Sequence, residues 1–527
     1  MKRLSIVLLL ILIALAGVLA ACDDSTPAST DASGASTDST AADGGEGPVY
    51  GGILTVGSEP IPPVVGWPLD MIANPSGGAV QGILEFLLRA NEDGEIVPWL
   101  AESYEVAEDK TSITFTLRQG IKFHDGSDFN AEVVKWNLDN WIDAGAKPDW
   151  KSAEVVDDYT VQVNLNRWMT NVPLAFCEGI APVFMISKEA FDENGLDWVR
   201  ANPVGTGPFM FESFTPDVEL KTVKNPDYWV EGKPYLDGIT FKFIGDPMTM
   251  ALAMQSGEID TGGALLALLP QYNVDEYGFE VDTIIESVHV LVPDSANPDS
   301  PWADQKVREA VEYAIDKEAI VTATGAGLME APVGIAPRSA LPYDANVPVS
   351  REYDPDEAKR LLADAGYPDG FDTTILLFPP AAESNEVLLV QSQLEEVGIN
   401  ADLEVTDWGR WGTFMGPGSW PENSALYSPI PRFDMGFLGG MAFTFFQFGQ
   451  SWERPPELEQ AFFAAMEPVE LDTDRITTFI NVINEYALLI PVHESNWNII
   501  RAPGVYRDVD NRGYILFWNT EDAWIEQ

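Results

Sequence analysis

From Leu4 to Ala21 the chain is apolar apart from Ser5 and Gly17, and the run is preceded by the basic start Met1-Lys2-Arg3. A basic end followed by an apolar core is the build of a secretory signal, whose positive end stays inside while the core enters the translocon. The pattern then inverts. From Asp23 to Pro48 the chain is mostly Ser, Thr, Ala, Asp and Gly, with no aromatic residue and no positive charge. Such a stretch cannot bury enough apolar surface to offset its ordering entropy, which predicts a flexible tether over 22–48 behind a signal over 1–21.

Beyond the tether the periods of folded elements set in. Gly51 to Gly57 is a short β-type run bounded by glycine, and Ser112-Ile113-Thr114-Phe115-Thr116-Leu117 alternates as a half-buried strand does. Asp125-Gly126 signals a turn, and Asn130 can cap a helix that puts Val133, Val134, Leu138 and Trp141 on one side. A second helix is spelled out more fully: Asp354 as cap, Pro355 at its first position, Glu357 completing a capping box, Ala358, Leu361, Leu362 and Ala365 as the apolar stripe, and Gly366 as the stop. A third is predicted from Ser384 to Val397, ended by Gly398 and followed by an alternating strand from Ile399 to Val405. Helices alternating with strands predict α/β lobes with mixed sheets.

Length and composition sharpen this picture. A chain of 527 residues exceeds what one hydrophobic core serves, so at least two lobes are expected. The 30 Lys and Arg against 83 Asp and Glu leave a net charge of −53, which repels phosphate and excludes nucleic acid as a partner. The two cysteines are Cys22 and Cys177. Cys177, between Phe176 and Glu178 in a largely apolar stretch, reads as a buried structural thiol, and no disulfide is expected to hold the fold.

Cys22 stands at the end of Leu19-Ala20-Ala21-Cys22, which resembles the lipobox of bacterial lipoproteins. That resemblance implies that the Cys22 thiol receives a diacylglycerol, each buried methylene of which contributes about 0.8 kcal/mol to membrane attachment. The alternative, a membrane-spanning anchor, fits less well with a cysteine placed directly after two small residues and before a polar tract.

The body also resembles a known family. Pro98-x-Leu100-Ala101-Glu102-Ser103, followed by Phe115-x-Leu117-Arg118-x-Gly120-x-Lys122-Phe123-His124-Asp125-Gly126, is similar to the signature region of the family 5 extracellular solute-binding proteins, the binding components of ABC importers for oligopeptides, dipeptides and nickel. Further agreement in order runs through Pro203-Val204-Gly205-Thr206-Gly207-Pro208-Phe209, Asn225-Pro226-Asp227-Tyr228-Trp229, Gly232-Lys233-Pro234-Tyr235-Leu236-Asp237 and Val307-Arg308-Glu309-Ala310 to Asp316. The match continues from Tyr353 to Phe371 and from Leu394 to Asn400, so it spans nearly all of the body.

This resemblance implies an α/β, two-lobed, periplasmic-binding-protein-like fold of class II, large cluster C type, with a hinge and an inserted subdomain in the first lobe. The expected division is lobe I over 49–289, including the insert at about 80–190, lobe II over 290–490, and a return to lobe I over 491–527, with crossings near Glu286 to Pro293 and Leu488 to Trp497. It further implies a monomer, outside the cytoplasmic membrane and anchored at Cys22, that encloses a small organic solute such as a peptide or oligosaccharide and delivers it to an importer permease with its ATPase. Closure around the solute couples occupancy to a shape that the importer recognises.

For the cleft, the aromatic, glycine-rich stretch of lobe II offers Trp408, Trp411, Trp420, Tyr427, Phe437, Phe443, Phe445, Phe446 and Trp452, some of which must pack the core instead. Glu59 and Trp67 are further ligand candidates by position in the family, and Trp497 is another candidate. In peptide binders the strand around Asp434-Met435 leads to an aspartate that holds the ligand's amine; here that position is Phe443, and Glu422, Glu453 or Glu494 are possible substitutes. Arg410 and Arg432 could pair with a carboxylate.

Rival classes find little support. The three histidines, His124, His289 and His493, are far apart along the chain, and no zinc motif, cysteine pair or Gly-x-Ser-x-Gly elbow is present, so no enzyme, metal or cofactor is expected. Gly205-x-Gly207 lacks the Lys-Ser/Thr ending of a phosphate loop. A surface receptor that reports ligand without transport, or a secreted hydrolase, are the alternatives to an import component.

Overall fold

The computed structural model describes residues 47–526 except 72–75, 92–94, 178–182, 265, 326, 336–349, 378–384, 407–409, 411–419, 432–450 and 508–517. Its organising element is a ten-stranded mixed sheet. Two long strands run through the middle of that sheet, Glu280–Pro293 and Ile490–Arg501, and pair antiparallel along most of their length. On one side of them lie Thr261–Ala264, Ile53–Ser58, Gly238–Phe243, Glu219–Lys224 and Phe209–Thr215; on the other lie Ser424–Pro431, Phe371–Leu377 and Ile399–Val405. The register of the long pair shifts between Ile285 and Ser287 and again between His289 and Val290. Bulges of this kind bend and twist a strand pair, so the two halves of the sheet can serve two lobes. The segments Glu286 to Pro293 and Leu488 to Trp497, where the crossings are expected, overlap these two strands.

The strand Phe371–Leu377 explains how the second half is covered. Ile375 and Leu377 point into a core shared with Leu291, Ala425 and Tyr427 and roofed by the helices Gln305–Ala314, Pro355–Asp364 and Asn385–Glu396. Leu376 points the other way, with Val290, Val292 and Leu426, toward the helix pair Pro456–Met466 and Thr473–Glu485. A strand buried on both faces needs apolar residues at every step, and Ile375-Leu376-Leu377 provides them.

Within the expected insert, four antiparallel strands form a separate sheet in the order Ala101–Val106, Ser112–Leu117, Thr160–Leu165, Trp150–Asp157. The helix Ala131–Asp143 packs on it, capped by Asn130, whose side chain accepts from Val133 N–H at 3.1 Å. Val134, Leu138 and Trp141 are buried as the spacing predicts. The helix at Pro355–Asp364 is likewise capped by Asp354, which accepts from Glu357 N–H at 3.0 Å. Among the described residues no helix is long and apolar enough to cross a membrane.

Candidate functional site

Three neighbouring strands, Ile53–Ser58, Gly238–Phe243 and Thr261–Ala264, are parallel, so their carboxyl ends share one edge. Outside such an edge the backbone turns away and leaves a crevice, the usual ligand position in open α/β sheets. A cavity of about 160 Å³ opens there. Val56, Gly57 and Ser58 line it from the first strand and Glu59 from the loop that follows, Ile244 and Gly245 from the loop after the second, and Gly263 and Ala264 from the third. Met250, Trp497, Arg507 and Trp518 add to the wall.

Small residues make this space. A Cβ on Gly57 would lie 2.5 Å from both Met250 Sδ and Ile259 Cδ1. A Cβ on Gly263 would lie 2.3 Å from Cζ2 of Trp497, so the indole of Trp497 rests directly on the glycine backbone. Glu59 is exposed at the rim and is the acidic member among the described residues of the lining.

The structure thus brings together Glu59 and Trp497 of the residues expected at the cleft. Trp67 has a different setting: it is 8% exposed, stacks on Phe191 at 5.4 Å and meets Trp136 edge-on at 6.3 Å, so its ring belongs to the core. Trp420 is half-buried against the core that joins the four-stranded sheet to the helix pair Pro456–Met466 and Thr473–Glu485. Tyr427 and Trp452 are fully buried, as the core-packing alternative required of some of these aromatics. Cys22, Trp408, Trp411, Arg432, Phe437, Phe443, Phe445 and Phe446 lie outside the described residues. Of the suggested substitutes for the amine-holding aspartate, Glu453 is held by Arg308 at 2.6 Å and Glu494 is buried, while Glu422 is exposed. Arg410 pairs with Glu404 at 2.5 Å.

Arg507 and Trp518 escaped sequence reasoning. Their only signal was a cation and an indole in a chain region read simply as the return to lobe I, and nothing in the spacing joins them to Glu59. They meet because the strand pair Val505–Tyr506 and Trp524–Ile525 folds the C-terminal segment back.

The shared motifs prove to be structural fastenings. Glu85, 5% exposed, accepts hydrogen bonds from Trp99 Nε1 at 2.8 Å and Tyr228 OH at 2.9 Å on one oxygen, and from Thr206 Oγ1 at 2.7 Å and Trp229 Nε1 at 3.1 Å on the other. Burial pushes its carboxyl up to about 7, against the pull of the bonds from Thr206, Trp229 and Trp99. His124 donates from Nε2 to the carbonyl of Gly207 at 2.9 Å, and burial lowers its pKa. Gly205 and Gly207 need to be glycine because a Cβ would lie 2.0 Å from the carbonyl oxygen of Ile83 and 2.5 Å from that of Gly82. The close approach of two backbones, with no phosphate involved, accounts for both.

Two of the histidines are neighbours after all. His289 and His493 face each other across the two long strands and stack at 4.5 Å. Tyr427 OH lies 2.7 Å from His493 Nε2, and His493 Nδ1 lies 3.1 Å from the carbonyl of Glu494, so the neutral ring donates from Nδ1 and accepts from tyrosine. Burial lowers both pKa values, and among the described residues no group of three or more metal-ligating side chains occurs.

Comparison with known proteins gives a consistent result. Residues 95–443 match the family described as bacterial extracellular solute-binding proteins, family 5 Middle. The glutathione-binding protein GsiB of Salmonella typhi is 33% identical over 361 residues, which cover 65% of this chain and 67% of that protein. Among solved structures, DppA of Helicobacter pylori, an ABC transporter-associated periplasmic binding protein in complex with the peptide STSA, superposes with a TM-score of 0.75 at 23% identity, covering 91% of this chain and 99% of that one. CtaP, an ABC transporter substrate-binding protein of Listeria monocytogenes, does so with a TM-score of 0.77 at 20% identity, covering 91% and 100%.

Proposed function

Since the chain belongs to the bacterial extracellular solute-binding proteins of family 5, the binding components of ABC importers, we propose that its own solute is a peptide-like molecule held at the cavity beside Glu59 and Trp497. The observation that carries this reading is the cavity itself, at the carboxyl ends of three parallel strands and walled by an indole lying on Gly263. A flat aromatic wall buries large ligand area at little entropic cost, and a carboxylate at the rim suits an ammonium group. GsiB, by its name, binds glutathione, and DppA was solved with a tetrapeptide; both ligands combine amide groups with charged ends.

In the same reading Cys22 carries the lipid anchor, residues 22–48 give the body its reach, and the permease with its ATPase receives the loaded protein. Lobe I comprises 49–289 and the return over 491–527, and lobe II comprises 290–490. The long strands Glu280–Pro293 and Ile490–Arg501 then act as the bending element on which the lobes close.

Gently isolated protein, denatured and analysed by mass spectrometry, should release a peptide or glutathione-like molecule. The same compound should bind the emptied protein in calorimetry and shrink its radius of gyration in solution scattering. Release of an oligosaccharide instead, or a scattering curve indifferent to a ligand that calorimetry shows to bind, would refute the peptide-like assignment or the closing motion respectively.

A further inference from the structure

Among the described residues that line the cavity, Arg507 is the one cation, in a setting otherwise apolar or glycine-rich except for Ser58, Glu59 and Tyr272. Its guanidinium carbon lies 4.3 Å from the ring centroid of Trp518. That ring is a fixed platform. Trp518 is 7% exposed, belongs to the core of the first half of the sheet, and donates its backbone N–H to Gln81 Oε1 at 2.7 Å. Gln81 in turn donates to the carbonyl of Gly78, which also borders the cavity, at 2.9 Å.

The backbone leading into Arg507 is pinned as well. Val505 and Tyr506 pair with Ile525 and Trp524, Val505 is buried, and the rings of Tyr506 and Trp524 stack at 3.7 Å with 4° between their planes. The nearby Arg501 is engaged differently: it binds Asp282 at 2.6 Å and Glu280 at 2.8 Å and does not line the cavity.

A guanidinium over an indole keeps its charge, and its planar fork of donors matches the two oxygens of a carboxylate. In a lining this apolar, such a pairing is worth more than on the open surface. We propose that Arg507, seated on Trp518, recognises a carboxylate of the ligand and makes the protein selective for solutes that carry a free one. This rests on the reading of the cavity as the solute site.

The test compares free and blocked ligands on emptied, otherwise unaltered protein. Calorimetric titrations would use glutathione and trialanine, each beside the form with its carboxylates blocked as ester or amide. Wild type should bind the free acids at least tenfold more tightly. Arg507→Gln should lose tenfold or more for the free acids while binding the blocked forms about as wild type does, and Arg507→Lys, which retains charge but not the planar fork, should fall between. Equal binding of free and blocked forms by wild type overturns the carboxylate assignment without reference to any variant and leaves the peptide-like reading standing. So does a preference that persists in a folded Arg507→Gln protein. Failure of wild type to bind any of the four compounds overturns the peptide-like reading itself, and the assignment of Arg507 with it.

Discussion

Glu85 is the residue on which most of the shared motifs converge. It gathers donors from Trp99, Thr206, Tyr228 and Trp229, which are 14, 121, 143 and 144 positions away along the chain. Deleting a buried carboxylate that satisfies four donors leaves those donors dry, so Glu85→Ala should destabilise the protein by about 3–5 kcal/mol. Its titration gives a sharper prediction. Burial raises its pKa from 4.5 to about 7, so the native state binds the proton more tightly than the unfolded chain does. The stabilisation is therefore complete below pH 4.5 and is lost as pH rises through about 7. That shift corresponds to about 3 kcal/mol. Many other carboxylates titrate in the same range, so the measurement is a difference: urea unfolding of wild type and Glu85→Gln at pH 4.5 and 7.5. Wild type should lose about 3 kcal/mol relative to the variant across that interval, and a constant difference would show that Glu85 does not titrate there.

At the scale of elements, what the sequence announces and what it conceals divide along contact distance. The helix Pro355–Asp364 and the strand Ile399–Val405 begin and end where caps, glycines and alternation predict, because those signals are local. The pairing of Glu280–Pro293 with Ile490–Arg501, the meeting of His289 with His493, and the seat of Arg507 on Trp518 have no local signature. The aromatic stretch was legible as functional or core, but burial alone could sort Tyr427 and Trp452 into the core. A contact between elements carries a consequence of the same hidden kind. Thr170 of the insert donates its N–H to Met466 at 2.8 Å and its hydroxyl to Pro468 at 2.7 Å, both carbonyls at the end of the helix Pro456–Met466. Trp168 Nε1 reaches Pro468 at 3.2 Å, and Lys110 reaches the backbone of Glu467 at 2.8 Å and pairs with its carboxylate. That helix covers the second half of the large sheet, whereas Glu85 and His124 fasten the insert to the first. If the lobes divide as proposed, with the insert in one and the helix pair in the other, swinging them apart must break this clasp. Thr170→Val combined with Lys110→Ala should weaken ligand binding by up to about tenfold with every cavity residue intact, since a smaller fraction of the protein is then closed. Scattering should show the ligand-free variant more open than wild type. Unchanged affinity and unchanged scattering would mean that the insert and the helix pair travel together.

For the molecule as a whole the dominant fact is charge. Of the 30 cations, several are committed to networks that tie elements together: Arg351 bridges Glu309 at 2.9 Å and Glu312 at 2.8 Å, Arg308 holds Glu453, and Arg475 holds Glu467 at 2.8 Å. The 83 acids far outnumber them, and runs such as Glu102, Glu105, Glu108 and Asp109 stand exposed with like charges as neighbours. Folding gathers these charges onto a smaller surface than the open chain offers, so the compact state carries the greater self-repulsion. Salt reduces that repulsion, because the screening length falls from about 10 Å at 0.1 M to about 3 Å at 1 M. Exposed ion pairs weaken over the same range, yet each contributes only about 0–1 kcal/mol, and the buried ones are screened less. The repulsive sum over a net −53 therefore decides the sign. The thermal midpoint should climb by several degrees between 0.05 and 1 M sodium chloride, to the same extent with potassium chloride, and most steeply at low concentration where the screening length changes fastest. A midpoint that stayed flat or fell would mean that the surface pairs outweigh the acids. A ligand bearing a carboxylate meets the same field, so its association rate should rise with salt, because screening lowers the repulsion it meets on approach.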